Sequence, residues 1–247
     1  IVQTVADSYS TRTLTKTMYV IPNRPPIADF TWIPETIWEG DTVYFLNASS
    51  DPDGDPLTYD WTIRYPSGTE FRANSRDISR RLTETGTYTV RLTVSDGKAT
   101  SQKTAQFEVR ALALTADVQH TDLWLEYHRD AGHETERHPK DFYTGETFVL
   151  SANTSPTAVQ SVHATLLATS RSGGQLQVTA TLSAKGAYAY AGEMYDKRFS
   201  NLVEGIAEGV HTIRFRVLYA NGMEKTTDIP VRIIGHVLET VGVHRRQ

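Results

Sequence analysis

Hydrophobic and polar residues alternate in short segments along residues 27–109, and this period of two is typical of β-strands with one buried face. The alternation is clearest around Trp61, where polar and apolar side chains follow one another in turn. Gly and Pro separate the segments and mark turns, so the pattern predicts a β-sandwich. The predicted strands cover residues 27–32, 42–47, 57–63, 86–95 and 100–109, with two further short strands within 69–82.

The second half of the chain shows the same strand pattern and adds one segment with a helical signature. Thr121 is a suitable N-cap and Gly132 a suitable stop, so a helix is predicted near residues 121–131. We therefore expect residues 111–247 to form a second sandwich with one inserted helix. Its predicted strands cover residues 113–119, 146–152, 158–169, 175–183, 187–194, 210–220, 224–234 and 236–243.

Residues 1–21 are predicted to be the terminal hairpin of a preceding β module. The segment TVADSYSTRTLTKTMYV (4–20) resembles TVSDGKATSQKTAQFEV (93–109), and such a repeat indicates a string of modules, although chance similarity between two Thr-rich hairpins is the other interpretation. The segment IPNRPP (21–26) has three prolines and predicts a stiff linker. The predicted domains are residues 1–21, 22–110 and 111–247.

A dense acidic loop is predicted at residues 51–56, which read Asp-Pro-Asp-Gly-Asp-Pro. The two prolines remove amide donors and Gly54 permits a positive φ, so this segment cannot be helical. Carboxylates this close together repel one another unless a cation or water screens them, and oxygen ligands on a loop suit Ca²⁺. From these residues alone, the loop is either a calcium site or a solvated turn.

Composition excludes several classes of function. The 247 residues are 39% hydrophobic with a net charge of −4, and no basic block indicates nucleic-acid binding. The absence of cysteine excludes disulfides, thiolate chemistry and Cys-ligated zinc. No apolar run is long enough to cross a membrane, and Ile1 indicates a processed chain or a cloned piece. The composition fits the cytosol as well as Gram-positive secreted proteins.

No catalytic motif is recognisable, since the sequence has no G-x-S-x-G, no P-loop, no Gly-rich dinucleotide loop and no carboxylates in a glycosidase frame. Four histidines surround the predicted helix, but no pair has the spacing of an H-E-x-x-H zinc site. We interpret them as polar surface, with one or two packing beside Trp124, and keep a metal-dependent hydrolase as a third hypothesis. These histidines are His120, His128, His133 and His138.

Five short motifs follow one another across residues 22–110: Pro26-x-Ala28-x-Phe30, Ser50-Asp51-Pro52-Asp53-Gly54, Tyr59-Asp60-Trp61, Gly86-Thr87-Tyr88-Thr89-Val90 and Val94-Ser95-Asp96-Gly97. Their order and spacing resemble the PKD (polycystic kidney disease) domain family. The resemblance implies an Ig-like, non-catalytic module of surface or secreted proteins, so the predicted fold class is all-β with tandem Ig-like β-sandwiches. One departure is Trp61-Thr62-Ile63-Arg64-Tyr65-Pro66, which replaces the W-D-F-G-D-G run of the family.

In the collagenase branch of that family, calcium is bound between the start of the domain, the acidic loop and the Asp after the penultimate strand. The resemblance therefore implies a Ca²⁺ site at Asn23, Asp51 and Asp96, with Asp53 as an additional ligand. Such an ion would join the linker to two loops and stiffen the joint between domains.

Trp61 is predicted to fill the sandwich core, as the Trp on the third strand of Ig-like sandwiches does. Trp32 and Trp38 are the candidate ligand-binding residues, because an exposed Trp can stack on a sugar ring, as surface aromatics do in related modules of chitinases. Trp38 is predicted to lie in a loop, and the other interpretation of its ring is that it covers the sandwich edge.

Phrases in the second half resemble an uncharacterised Ig-like module of large Gram-positive surface proteins. These phrases are His120-Thr121…Trp124, Asp141-Phe142-Tyr143-Thr144-Gly145-Glu146, Gly192-Glu193-Met194-Tyr195-Asp196 and Tyr219-Ala220-Asn221-Gly222. The second-half resemblance and that of residues 22–110 together imply an extracellular location, either secreted or attached to the cell surface of a bacterium.

The predicted function is that of a non-catalytic spacer and interaction segment in a modular extracellular protein, with calcium as a candidate cofactor. The expected partners are neighbouring domains of the same protein and cell-wall or extracellular polysaccharide or protein; neither nucleic acid nor membrane insertion is expected. The alternative is a carbohydrate-binding accessory module of a polysaccharide-degrading enzyme. That alternative predicts a strip of exposed aromatics drawn from Trp32, Trp38, Tyr65, Tyr188 and Tyr190.

Overall fold

The computed structural model describes residues 2–6, 8–16, 20–120, 138–196, 199 and 205–236. These residues form β-strands, turns and loops, and none of them lies in an α-helix, which confirms the all-β prediction. The predicted helix near 121–131 lies outside the described residues, as do His128 and His133. Within the described part of the chain, no helix has the length and hydropathy needed to span a bilayer.

The strands alternate along the chain with short turns. In order, they are β1 (Val2–Ala6), β2 (Thr11–Thr15), β3 (Phe30–Ile33), β4 (Ile37–Trp38), β5 (Thr42–Asn47), β6 (Thr58–Arg64), β7 (Glu70–Ala73), β8 (Ile78–Arg81), β9 (Gly86–Ser95), β10 (Thr100–Arg110), β11 (Leu114–His120), β12 (Asp141–Thr144), β13 (Phe148–Thr154), β14 (Val159–Thr169), β15 (Gln175–Thr181), β16 (Ser183–Gly186), β17 (Ala189–Met194), β18 (Gly209–Tyr219) and β19 (Glu224–His236).

The chain divides into two compact units, and each contains residues from more than one stretch of sequence. Unit 1 consists of residues 1–36, 42–80 and 87–108. Unit 2 consists of residues 37–41, 81–86 and 109–247.

Unit 1 contains a β-sandwich whose core is built around Trp61. One sheet has the strand order β10-β9-β6-β7 and the other β3-β5-β8. The ring of Trp61, on β6, is fully buried and lies 5.2 Å from the ring of Phe30 and 6.1 Å from that of Phe45, both on the opposite sheet. Its indole Nε1 donates a hydrogen bond to the Ser75 carbonyl at 3.0 Å, so burial leaves no donor unsatisfied. The predicted core position of Trp61 is thus where the structure places it.

The first two strands form a two-stranded antiparallel sheet, with Ala6 opposite Thr11. Four residues connect them, and four residues also connect β9 to β10, where the Asp96 amide donates to the Ala99 carbonyl at 3.3 Å. The two copies of the repeat therefore form hairpins with the same loop length. That the first hairpin belongs to a preceding module stays a prediction.

Unit 2 has two sheets, with strand orders β11-β13-β17-β16 and β12-β19-β18-β14-β15. Its hydrophobic core includes Phe148 from the first sheet and Phe215 from the second, both buried. The buried Tyr219 donates its hydroxyl to the Ala113 carbonyl at 2.5 Å and accepts from the Ser155 amide at 3.3 Å. The strand pattern was predicted closely except for β12 and β16, which are four residues long. β12 fell outside every predicted strand, and β16 overlaps one only at Ser183. The predicted strand at 236–243 lies outside the described residues apart from His236.

A second correction concerns Trp38, which was predicted to lie in a loop. It is the last residue of β4, which pairs in parallel with the end of β10, Trp38 opposite Arg110. A strand of two residues is too short for its alternation to be recognised in the sequence. The nearby turn at Asn221 also belongs to unit 2, and the Asn221 amide donates to the Glu39 carbonyl at 3.0 Å and to Asp41 at 2.8 Å.

Candidate functional site

Two residues of the proline-rich linker are bonded to two distant loops of unit 1. The side-chain amide of Asn23 donates to Asp96 Oδ2 at 2.8 Å. Arg24 donates its backbone N–H to Asp53 Oδ2 at 2.7 Å and its Nε to Asp53 Oδ1 at 2.8 Å. The Arg24 guanidinium also donates to the Pro52 carbonyl. We call the set of linker and loop residues the entrance network; it consists of Asn23, Arg24, Asp51, Asp53, Asp55, Asp96 and Lys98.

Each loop of the entrance network is shaped by its own first aspartate. Asp51 Oδ1 accepts the amides of Asp53 at 2.8 Å and Asp55 at 3.1 Å, which is the Asx-turn geometry that Asp favours. Gly54 has a φ of 78°, a conformation that glycine adopts without steric cost. In the second loop, Asp96 Oδ1 accepts the amides of Lys98 at 2.7 Å and Ala99 at 2.6 Å.

Hydrogen bonds and nearby cations favour the charged forms of the network. The hydrogen bond from Asn23, together with the amides of Ala99 and Lys98, lowers the pKa of Asp96 to about 2. The backbone and side-chain bonds from Arg24 lower the pKa of Asp53. Lys98 Nζ lies 2.7 Å from Asp55 Oδ2 and 3.3 Å from Asn23 Oδ1, and the bond to Asp55 raises the pKa of Lys98.

The four residues predicted as calcium ligands all belong to the entrance network, and their three carboxylates, on Asp51, Asp53 and Asp96, are not grouped as a metal site. Asp53 is paired with Arg24, whereas Asp51 Oδ2 is a buried oxygen without a hydrogen-bond partner among the described residues. Within those residues, no three His, Asp or Glu side chains are grouped as a metal site. Sequence reasoning missed the two cations, Arg24 and Lys98, because their partners lie 29 and 43 residues away.

Trp32 and Trp38, the predicted ligand-binding residues, are half-buried. The ring of Trp32 lies 6.2 Å from that of Phe30 and 5.7 Å from that of Phe107. Trp38 packs against the hydrophobic core of unit 2, and the guanidinium of Arg110 lies 6.0 Å from its ring centroid. Both rings therefore make core contacts on at least one face.

The other predicted aromatics do not form a strip with these two. The ring of Tyr65 lies 5.1 Å from that of the buried Tyr88, and Tyr190 packs against the core of unit 2. Tyr188 is exposed and has a φ of 63°, which is uncommon for a bulky residue.

The two described histidines of the predicted polar cluster make separate local contacts. The ring of His120 lies 6.1 Å from that of Phe142, at the end of β11. His138 Nδ1 accepts the Lys140 amide at 3.1 Å and so shapes the turn before β12.

A family model described as "PKD domain" matches residues 23–111. The chain belongs to the PKD domain family through these residues. The predicted resemblance is confirmed, and the motifs that carried it map onto strands and loops of the PKD domain: Trp61 is its buried core residue, and Asp96 directly follows β9, its penultimate strand. The entrance network therefore lies within the PKD domain, at the point where the chain enters it.

Solved structures show likeness to different parts of the chain. The PKD1 domain of Vibrio anguillarum Epp is 30% identical over 36% of this chain and 99% of its own, with a TM-score of 0.31. A carbohydrate-binding module of the β-sandwich superfamily is 14% identical over 87% of this chain and 94% of its own, with a TM-score of 0.33.

SGBP-B from the mixed-linkage glucan utilization locus of Bacteroides ovatus, in complex with a heptasaccharide, is 16% identical over 86% of this chain and 48% of its own, with a TM-score of 0.29. No curated protein matches the sequence significantly.

Proposed function

We propose that this chain is a non-catalytic spacer and interaction segment of a modular extracellular protein of bacterial origin, secreted or held at the cell surface. The observation that carries the proposal is the bonding of Asn23 and Arg24 to the loops at residues 51–55 and 96–98. The fold of a module does not require the residues before it to be fixed. A spacer does require this, because a flexible entrance would allow the preceding segment to change its orientation.

The linker residues that follow Arg24 are also held in a fixed conformation. Pro25 and Pro26 have fixed φ angles, and Ile27 exchanges two backbone hydrogen bonds with Ser50, at 2.8 and 3.1 Å. Five consecutive residues, 23–27, are thus held by side-chain bonds, ring constraints or backbone pairing. This arrangement stiffens the start of the PKD domain without any chemistry at the site.

Spin labels test the proposal directly, because the chain contains no natural cysteine. We would introduce Ile21→Cys and Ser67→Cys, two exposed positions in unit 1, and measure the distance distribution between labels. A narrow distance distribution in the wild type supports a linker held rigidly at the start of the domain. The distribution should broaden in the double variant Asn23→Gly/Arg24→Gly and remain narrow in the control Arg76→Gly. A wild-type distribution that is already as broad as that of the double variant contradicts the spacer function.

Calcium is the proposed cofactor of the entrance network. Asp51 Oδ2 is buried and lacks a partner among the described residues, and a carboxylate oxygen in that position fits a hard cation. Asn23, Asp51 and Asp96 would hold the ion, whereas Asp53 would remain on Arg24. Bound there, calcium would add a further tie between linker and loops, in competition with the ammonium group of Lys98.

The alternative of a carbohydrate-binding module with a strip of aromatics receives less support. Trp32, Trp38, Tyr65 and Tyr190 all have core contacts, so a flat row of free rings is not available among them. Tyr188 is the one member of the predicted strip with an exposed side chain. The five predicted residues therefore do not supply a strip of exposed rings for stacking on sugars.

A further inference from the structure

A groove of about 200 Å³ crosses the outer face of the sheet β10-β9-β6-β7 in unit 1. Its floor contains Thr62, which is only 5% exposed although its neighbours Trp61 and Ile63 occupy the opposite, core face of β6. We call it the arginine groove, and its lining consists of Thr62, Arg64, Glu70, Thr89, Arg91 and Thr104.

The lining of the arginine groove carries a net positive charge. Arg64 and Arg91 are exposed, and neither forms an ion pair or side-chain hydrogen bond with a described residue. The single acidic residue of the lining, Glu70, is opposite Arg64 on the neighbouring strand β7 and forms its ion pair with Arg72, at 3.1 Å. The whole chain has a net charge of −4, so this positive face is a local feature and not the consequence of a basic composition.

Strand register holds the two arginines close together. Thr62 is opposite Arg91 and Arg64 is opposite Thr89 on the neighbouring strand, which makes the arginines diagonal neighbours on one face. Diagonal neighbours lie about 7–8 Å apart, within reach of two long side chains that converge on one anion. A guanidinium presents parallel N–H donors that match the two oxygens of a carboxylate.

The other three lining residues carry hydroxyl groups. Thr89 Oγ1 accepts a hydrogen bond from Gln106 Nε2 at 3.3 Å, which leaves its own proton to donate to a ligand. Thr62 and Thr104 contribute two more hydroxyls, and no aromatic ring lines the groove.

We propose that the arginine groove binds a carboxylate-bearing sugar unit of an acidic polysaccharide. This inference rests on the proposed interaction function and names the class of ligand for it.

The groove favours a sugar over an acidic peptide. Strands β6 and β9, which carry Arg64 and Arg91, are each paired on both sides, so a peptide backbone could join only the edge strand β7. At the two arginines themselves, a peptide would be recognised through side chains alone. The volume is also below the roughly 300–1,000 Å³ of pockets for drug-sized ligands, which suits one sugar ring at a time along a polymer.

Native affinity electrophoresis on the full chain tests the assignment, with EDTA present so that calcium does not bridge protein and polymer. The probes are polygalacturonate, its methyl ester, which has the same backbone without free carboxylates, and polyglutamate. We expect retardation by polygalacturonate alone. Arg64→Gln and Arg91→Gln should each weaken binding at least about tenfold, because each removes charge-assisted hydrogen bonds to the carboxylate. Arg76→Gln, an exposed arginine outside the groove, should bind as the wild type does.

Several outcomes overturn the assignment. Equal retardation by polyglutamate would show general attraction to polyanions or an acidic peptide site, and retardation by the methyl ester would show that the carboxylate is not recognised. Binding unchanged in both groove variants would place the site elsewhere. None of these results alters the spin-label distances at the linker, so failure of the groove and failure of the spacer function remain distinguishable.

Discussion

Asn23 and Asp96 are joined by a 2.8 Å hydrogen bond across 73 residues of sequence, and this bond connects the entrance of the PKD domain to the turn between its last two strands. Asp96 also accepts two backbone amides in its own turn, so the aspartate holds the turn and the linker at the same time. The linker is therefore positioned by the same side chain that shapes the loop it meets.

Stability should depend on the charge of Asp96. Its pKa is lowered from 3.8 to about 2, so the stabilisation is fully present above pH 4 and is lost as the pH falls through about 2. We expect the unfolding free energy to decrease over that interval, with a contribution of the same sign from Asp53. Acid titration followed by tryptophan fluorescence would measure this. Asp96→Asn should reduce the slope, and the exposed Asp60→Asn should not; equal slopes in both variants would contradict the role of Asp96.

Calcium should stabilise the chain through Asp51. A ligand that binds only the folded state adds about 2.7 kcal/mol at a hundredfold excess over its Kd, so millimolar Ca²⁺ should raise the thermal midpoint by several degrees relative to EDTA. Asp51→Ala should abolish the rise, while Asp60→Ala should retain it. Lys98→Met should increase it, because the competing ammonium is removed. The same thermal midpoint in Ca²⁺ and EDTA would show that the acidic loop is not a calcium site but a solvated turn held by Arg24 and Lys98.

Gly40 and Gly54 allow two costs of replacing a glycine to be separated: the cost of a positive φ and the cost of a steric clash with the added Cβ. Both have a positive φ, 88° and 78°, where a Cβ costs about 1–2 kcal/mol. At Gly54 nothing lies within 4 Å of the added atom, whereas at Gly40 it would lie 2.2 Å from Met223 Cγ, within unit 2. Gly40→Ala should therefore lose roughly 1–3 kcal/mol more than Gly54→Ala in urea unfolding. Equal losses would mean that Met223 does not contact Gly40 in solution.

Tyr219 should contribute through its hydroxyl. Its bonds to Ala113 and Ser155 join the start of β11, the end of β13 and the end of β18 inside unit 2. Tyr219→Phe keeps the ring and removes these bonds, so we expect a loss of about 0.5–1.5 kcal/mol in urea unfolding. Tyr44→Phe is the matched control, because Tyr44 is 50% exposed and should change stability by less than about 0.5 kcal/mol. A loss no larger for Tyr219 than for Tyr44 would rule out a structural role of the hydroxyl.

The strand pattern was accessible from sequence because burial of one face imposes a period of two, and Trp61 shows this at its strongest. The strands that were not predicted, β4, β12 and β16, have two, four and four residues, too few for a period to be established. The convergence of Asn23, Asp51 and Asp96 on one network was inferred from family resemblance.

The basic partners in that network could not be inferred in the same way. The pairing of Arg24 with Asp53 and of Lys98 with Asp55 depends on how loops meet in three dimensions. Nothing in the sequence distinguishes Arg24 and Lys98 from the other basic residues of the chain. Their presence changes the electrostatics of the acidic loop, since two cations of the chain itself already screen its carboxylates.

The backbone amide of Arg24 provides the most direct measurement of the fastened entrance, since this N–H donates to Asp53 at 2.7 Å. In ¹⁵N relaxation experiments on the full chain, we expect Arg24 to have an order parameter of about 0.85, the value of rigid backbone. Asp53→Ala should lower it and leave the amide of Val90, at the centre of β9, unchanged. An Arg24 order parameter below about 0.6 in the wild type, the range of flexible backbone, would contradict a fastened entrance and the spacer function built on it.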